Sequence, residues 1–106
     1  MNWDLGDSEG TVTVRMPLHP LALELLEKTG PMALTGAGAP GRPAPVDCDS
    51  VREAYGDAVA VYLDVGRLTR TGASTIVDVT GPSPRIVREG ALPFAQLREV
   101  VPDLVQ

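Results

Sequence analysis

The chain has 106 residues, 43% of them apolar but only 4% aromatic, and a formal net charge of −5. That length holds one small domain, whose core must be drawn from Val, Leu, Ile and Ala. The acidic balance excludes a basic nucleic-acid footprint, the single Cys48 excludes an internal disulfide or a Cys-rich zinc site, and no apolar run is long enough to span a bilayer.

The opening "MNWDLGDSEG" is polar and acidic, unlike a secretory signal, so a cytoplasmic location is expected. "GTVTVRMP" alternates Val12 and Val14 with Thr11, Thr13 and Arg15, which predicts a strand over about residues 10–16. In "HPLALELLEKTG", Leu21, Ala22, Leu25 and Leu26 share one helical face, while Glu24, Glu27 and Lys28 lie mostly on the other. Pro20 suits the first turn of that helix and Gly30 its C-cap. His19, the only histidine, is read as a residue at the start of the helix. "PMALT" follows as a short buried strand.

A loop comes next, punctuated by Pro40, Gly41, Pro43 and Pro45. "VDCDSVREAYG" reads as a helix capped by Asp47 and stopped by Gly56, with Cys48 as a small helical residue. "AVAVYLD" is predicted as a buried strand ending at Asp64, "VGRLTRTGA" as a polar loop, "STIVDV" and "PRIVREG" as strands around a "GPSP" turn, and "LPFAQLREVV" as a closing helix. The order β-α-β-loop-α-β-loop-β-β-α is an α/β pattern, with a final strand pair suited to antiparallel pairing. No metal-ligand cluster accompanies Asp64 or Asp78, and none is expected.

Gly36, Gly38 and Gly41 spell G-x-G-x-x-G, with a strand before them, a helix after them and an acid, Asp64, at the end of the next strand. A dinucleotide site needs the helix to start inside the glycine run, so that its N-terminus meets the pyrophosphate. Pro40, Pro43 and Pro45 disfavour helix at the residues before them and hold the helix start back to about Asp47. A P-loop fares worse, because its lysine position is Arg42 and its hydroxyl position is Pro43. By itself the stretch reads as a Gly/Pro surface loop.

Taken together, "GTVTVRMPLHPLALELL", "TGPMALT", "GDAVAVYLD", "STIVDVTG" and "PRIVREGA", in that order, resemble the C-terminal half of the threonylcarbamoyl-AMP synthases of Sua5/YrdC/YciO type. The resemblance runs from about Trp3 to Val101. It implies an α/β fold, a partial YrdC-like twisted mixed sheet with packed helices that lacks the family's N-terminal half, as a single partial domain over residues 1–106. It also implies a reaction: L-threonine, bicarbonate and ATP, with magnesium expected alongside the ATP and no tightly bound cofactor, form threonylcarbamoyl-AMP for the t6A modification of tRNA. Carried over residue by residue, Arg15, Ala37 and Ser74 would serve the threonine. Thr11, Thr35, Gly36, Gly38 and Arg88 would serve the nucleotide. Arg15 would pair with the threonine carboxylate, to which a guanidinium is a natural bidentate partner. Without the resemblance, Arg15 and Arg88 read as surface arginines on a solvated strand face.

Two departures from the family pattern bear on activity. The family's N-terminal half normally brings a "K-x-R" motif that grips the phosphates, and this chain has one lysine, Lys28, and no K-x-R. The loop that usually reads like "S-S-A-N-x-S-G" is here Thr35, Gly36, Ala37, Gly38, Ala39, Pro40, Gly41. A serine, an asparagine and a second serine are thereby replaced by Gly36, Gly38 and Pro40, and Met1 reads as a possible internal start. The expectation is a fragment or shortened homologue of the synthase, inactive alone, with a separate N-terminal half as a partner and no direct tRNA binding. The alternative is a non-enzymatic remnant that binds nucleotide or protein.

Overall fold

A computed structural model describes residues 3–69 and 72–106. The chain divides into two compact units, Met1–Thr35 and Gly36–Gln106.

The first unit carries helix α1, Pro20–Thr29. Its bounds follow the sequence signals. Pro20 sits in the first turn, and Gly30 closes the helix at φ 74° with its N–H donating to the Leu26 carbonyl at 2.8 Å. Leu21, Ala22, Leu25 and Leu26 are half-buried and Glu24, Glu27 and Lys28 are exposed, as the 3.6-residue period requires. Lys28 lies 3.9 Å from Glu24 one turn away, an exposed pair that adds little.

The second unit opens on the glycine loop and reaches α2, Cys48–Tyr55. The Asp47 carboxylate caps α2 by accepting from the Ser50 N–H at 2.8 Å, and Gly56 ends it at φ 49°. The proline spacing therefore delays the helix to where the sequence places it. A short 3-10 turn, Gly56–Ala58, follows. Strands β1, Ile76–Asp78, and β2, Arg85–Arg88, pair antiparallel in the register Ile76↔Arg88, Val77↔Ile86 and Asp78↔Arg85. The partner slips by two between Ile76 and Val77, which leaves Val87 as the extra residue of a bulge. Helix α3, Phe94–Val100, starts at Pro93, and the Glu89 carboxylate takes the cap role by accepting from the Phe94 N–H at 3.0 Å. The chain then returns beside β2, where Val105 forms a parallel bridge with Arg85 through Ile86 N–H to Val105 O and Val105 N–H to Pro84 O, both 2.9 Å. Antiparallel and parallel pairing thus coexist in this small α/β unit.

Three predicted strands are corrected. Among the described residues, the segments 10–16, 31–35 and 58–64 join no sheet. Their apolar side chains are exposed, with Val14 at 81%, Leu34 at 75% and Val61 at 71% of full exposure. A strand needs a neighbour to take its backbone hydrogen bonds and to cover its apolar face, and none is present among the described residues. The core is correspondingly slight. Among the described residues only Leu104, 3% exposed, is fully buried.

The cap on α2 gives a prediction. Asp47 is held below the ordinary carboxylate range, first by its side-chain hydrogen bond with Ser50, then by the Ser50 backbone N–H, with Arg67 adding attraction. A lowered folded pKa means that the cap stabilises above the ordinary carboxylate pKa and is lost as pH falls through the folded value. Helical ellipticity in the far ultraviolet should drop on acidification, and Asp47→Ala should remove that part of the acid transition while fraying α2 at neutral pH. An unchanged acid transition in Asp47→Ala would assign it to another group.

Candidate functional site

The best-defined constellation gathers around the start of β1. Arg88, at the end of β2, donates from Nε and Nη2 to the Ser74 carbonyl oxygen at 3.0 and 2.9 Å. The Thr75 hydroxyl donates to the Leu92 carbonyl at 2.7 Å and accepts from the backbone N–H groups of Gly90 and Leu92 at 2.9 and 3.1 Å. The Ala91 N–H donates to the Ala73 carbonyl at 2.9 Å. The chain after β2 is thereby folded back onto residues 73–75. A Cβ placed on Gly90 would lie 2.6 Å from the Ser74 carbonyl carbon and 2.7 Å from its oxygen, and closer still to the Ala73 oxygen. The contacting atoms are backbone, so no flexible side chain can yield, and only glycine fits.

Of the residues expected to serve the threonine, Ser74 lies in this knot. Its carbonyl is engaged by Arg88, while its exposed hydroxyl has no hydrogen-bond partner among the described residues. Ala37 lies in the glycine loop, where its carbonyl accepts from the Tyr55 hydroxyl at 2.9 Å, so the end of α2 anchors the loop. Arg15 is in the first unit, exposed and without an ion pair among the described residues.

Of the nucleotide-side residues, Arg88 is in the knot. Thr11, in the first unit, closes a turn by donating from both its N–H and its hydroxyl to the Ser8 carbonyl, at 2.9 and 2.8 Å. Thr35 is exposed at the end of the same unit. Gly36 and Gly38 lie in the loop with no left-handed φ, whereas Gly41 has φ +75°. A Cβ at Gly36 would meet nothing within 4 Å, and at Gly38 its nearest neighbour would be the Ala44 Cα at 3.5 Å, an ordinary contact. Gly41 alone of the three is demanded by the backbone. The structure therefore brings Ser74 and Arg88 together, and separately Gly36, Ala37 and Gly38.

Beside these, Asp78 makes an Asx turn, accepting from the Thr80 hydroxyl at 2.7 Å and the Thr80 N–H at 2.9 Å, with Arg85 at 3.8 Å. The Thr80 hydroxyl first, then its N–H, and then the Arg85 charge hold the Asp78 carboxyl below its ordinary range. A shallow cleft of about 320 Å³ opens there between Asp78, Gly81 and Val105, and none of the expected site residues lines it. Among the described residues no group of three or more His, Cys, Asp or Glu side chains gathers as metal ligands.

The sequence reading did not single out Thr75, Gly90 or Tyr55. Thr75 lies in "STIVDVTG" and Gly90 in "PRIVREGA", so both stood inside recognised blocks. Their roles depend on backbone partners 15 and 17 residues away, which no local spacing reveals.

Comparison with known proteins agrees with this arrangement of blocks. Residues 2–90 match the model of the family Sua5_yciO_yrdC, described as telomere recombination. The chain belongs to the Sua5/YciO/YrdC family. A Mycobacterium tuberculosis protein provisionally named as a threonylcarbamoyl-AMP synthase is 50% identical over 101 residues, covering 95% of this chain and 46% of that protein. The threonylcarbamoyl-AMP synthase of Pyrococcus abyssi is 35% identical over 96 residues, covering 89% of this chain and 28% of that protein. The Bacillus subtilis synthase of the same name is 32% identical over 92 residues, 86% of this chain and 27% of that protein. The chain thus spans about half the length, or less, of these relatives. No solved structure matches it significantly. No helix of the described residues is long and apolar enough to cross a membrane.

The knot predicts two destabilised variants. Gly90→Ala should cost about 2 kcal/mol, the usual scale of forced overpacking. Thr75→Val should cost about 1 kcal/mol, the usual net worth of an intramolecular hydrogen bond, because water takes up part of what the backbone groups of residues 90 and 92 lose. Amide exchange at residues 90–92 should accelerate in both. Wild-type exchange there in Thr75→Val would remove the hydroxyl from the role given to it.

Proposed function

We propose that this chain supplies half of the substrate pocket of a threonylcarbamoyl-AMP synthase, which joins L-threonine, bicarbonate and ATP, with release of pyrophosphate, into threonylcarbamoyl-AMP for the t6A modification of tRNA. The observation that carries the reading is the Arg88–Ser74 pairing inside a segment half identical to a protein provisionally named for this activity. Arg88 spends Nε and one N–H of Nη2 on the Ser74 carbonyl and keeps its other N–H groups for an anionic ligand. Pinning the guanidinium in this way removes its rotamer entropy before a ligand arrives. Catalysis of an adenylyl transfer rests mainly on such positioning and on electrostatic preorganisation.

In this proposal Ser74, Arg15 and Ala37 face the threonine, and Thr11, Thr35, Gly36, Gly38 and Arg88 face the nucleotide. Magnesium is proposed to arrive with the ATP. The proposed setting is cytoplasmic. Direct tRNA contact is left to other components, given the net charge of −5.

The chain alone is proposed to be inactive, because it has no K-x-R and its loop places Gly36, Gly38 and Pro40 where polar side chains are expected. The same loop favours a second reading, a non-enzymatic module that keeps only backbone N–H groups for an anion.

A single chimaera separates these readings. Grafting this chain in place of the matched 101 residues of the Mycobacterium tuberculosis relative should give threonine- and bicarbonate-dependent pyrophosphate release, lost on Arg88→Ala. A folded graft without turnover would favour the non-enzymatic module. The isolated chain should release no pyrophosphate, and robust release abolished by Arg88→Ala would defeat its inactivity. In the graft, Gly36→Ser with Gly38→Asn should tighten ATP binding about tenfold, the worth of one hydrogen bond to a charged group. Both positions accept a side chain sterically, so unchanged affinity in calorimetry would place the nucleotide elsewhere.

A further inference from the structure

Residues Gly36 to Ala39 carry no polar side chain, so whatever they offer a ligand comes from the backbone. One peptide among them is held by a distant group. The Tyr55 hydroxyl, in the last turn of α2, donates to the Ala37 carbonyl at 2.9 Å across 18 residues. The connection itself does not impose this contact. Asp47 caps the other end of α2, and the helix of 8 residues is about 12 Å long. The chain from Ala37 to Asp47 reaches roughly 33 Å when extended, so it has slack to leave Ala37 elsewhere.

The bond fixes the direction of the next donor. No peptide of the described residues is cis, and in a trans peptide the C=O and the N–H point in opposite directions. With the Ala37 oxygen turned to Tyr55, the Gly38 N–H is turned away from it. Among the described residues that N–H donates to nothing. Gly38 is nevertheless half-buried against the returning chain, since a Cβ placed on it would lie 3.5 Å from the Ala44 Cα and 3.6 Å from the Pro45 Cδ. A partly covered backbone donor without a protein partner is left for water or a ligand. The loop offers few competing donors. Pro40, Pro43 and Pro45 have no N–H, and the Arg42 N–H is engaged by the Ala39 carbonyl at 3.1 Å.

We propose that Tyr55 is a positioning residue of the nucleotide side: its hydroxyl holds the Ala37–Gly38 peptide so that the Gly38 N–H meets a phosphate oxygen of the nucleotide. The inference rests on the reading of this loop as part of a synthase pocket. An N–H donating to an anionic oxygen makes a charge-assisted bond, and a peptide oriented beforehand loses less freedom when the ligand arrives.

Tyr55→Phe removes the hydroxyl and keeps the ring. Tyr62→Phe is its control, because the Tyr62 hydroxyl bonds the Gly56 carbonyl and not the loop. In the full chain carrying isotope-labelled glycine, ATP should shift the Gly38 amide proton downfield. That shift should vanish in Tyr55→Phe and persist in Tyr62→Phe, with wild-type helical ellipticity in Tyr55→Phe. In the Mycobacterium tuberculosis graft, Tyr55→Phe should raise KM for ATP about fivefold, the worth of an ordinary hydrogen bond, and leave kcat within about twofold. Four outcomes would overturn the proposal: no ATP-dependent shift at Gly38 in either chain or graft, a shift that survives Tyr55→Phe, a loss shared by Tyr62→Phe, or helix lost in Tyr55→Phe. A Tyr55-dependent shift in a folded graft without turnover would keep the positioning role and remove the synthase reading. An active graft whose KM is indifferent to Tyr55→Phe would do the reverse.

Discussion

The Thr75 hydroxyl is the point on which the ordered part of the second unit turns. One donor and two accepted N–H groups tie it to Gly90 and Leu92, and the chain after β2 cannot leave the start of β1 without breaking all three bonds. The approach it enforces is close enough that residue 90 has no room for a Cβ. Once the strands are held this way, Arg88 reaches the Ser74 carbonyl with two nitrogens, although the residues are 14 apart in sequence. The geometry of the proposed site is thus inherited from a side chain outside it. A hydroxyl suits the task because it donates and accepts at once, which neither a carboxylate nor a lysine ammonium can do.

The elements outside the knot divide by where their hydrogen bonds must be found. All three predicted helices form, because an α-helix closes its bonds within four residues and its caps are local side chains or glycines. Asp47, Gly30 and Gly56 could therefore be read directly as boundaries. Of the predicted strands, only the pair joined by a short turn finds its partner. Segments 10–16, 31–35 and 58–64 carry strand sequences of equal quality and pair with nothing among the described residues. Periodicity states which face a strand must bury. It does not supply the neighbour, and here the neighbour is not among the described residues.

The candidate site was legible to a similar depth. The recognised blocks contain Ser74 and Arg88, and the structure sets those two residues side by side. The contact itself runs from a side chain to a backbone carbonyl, and every residue has one of those, so residue type could not reveal it. Tyr55 was missed for the same reason, since its partner is the Ala37 carbonyl. Arg15, Thr11 and Thr35 belong to the other unit.

The glycine loop shows how a conformational reading and a chemical one separate. Glycine is commonly placed where the backbone must turn left-handed or another group must come close, and Gly41 and Gly90 meet those conditions in turn. Gly36 and Gly38 meet neither, since their φ angles are ordinary and the space beside them is open or in normal contact. Their lack of side chains is therefore not imposed by the fold. The loop is nevertheless anchored, through Tyr55, at the residue between them. An anchored loop without side-chain donors can still present backbone N–H groups, and it could accept a serine and an asparagine without rebuilding. For the proposed nucleotide-side role, the fold leaves room at Gly36 and Gly38 for the side-chain groups that the sequence omits.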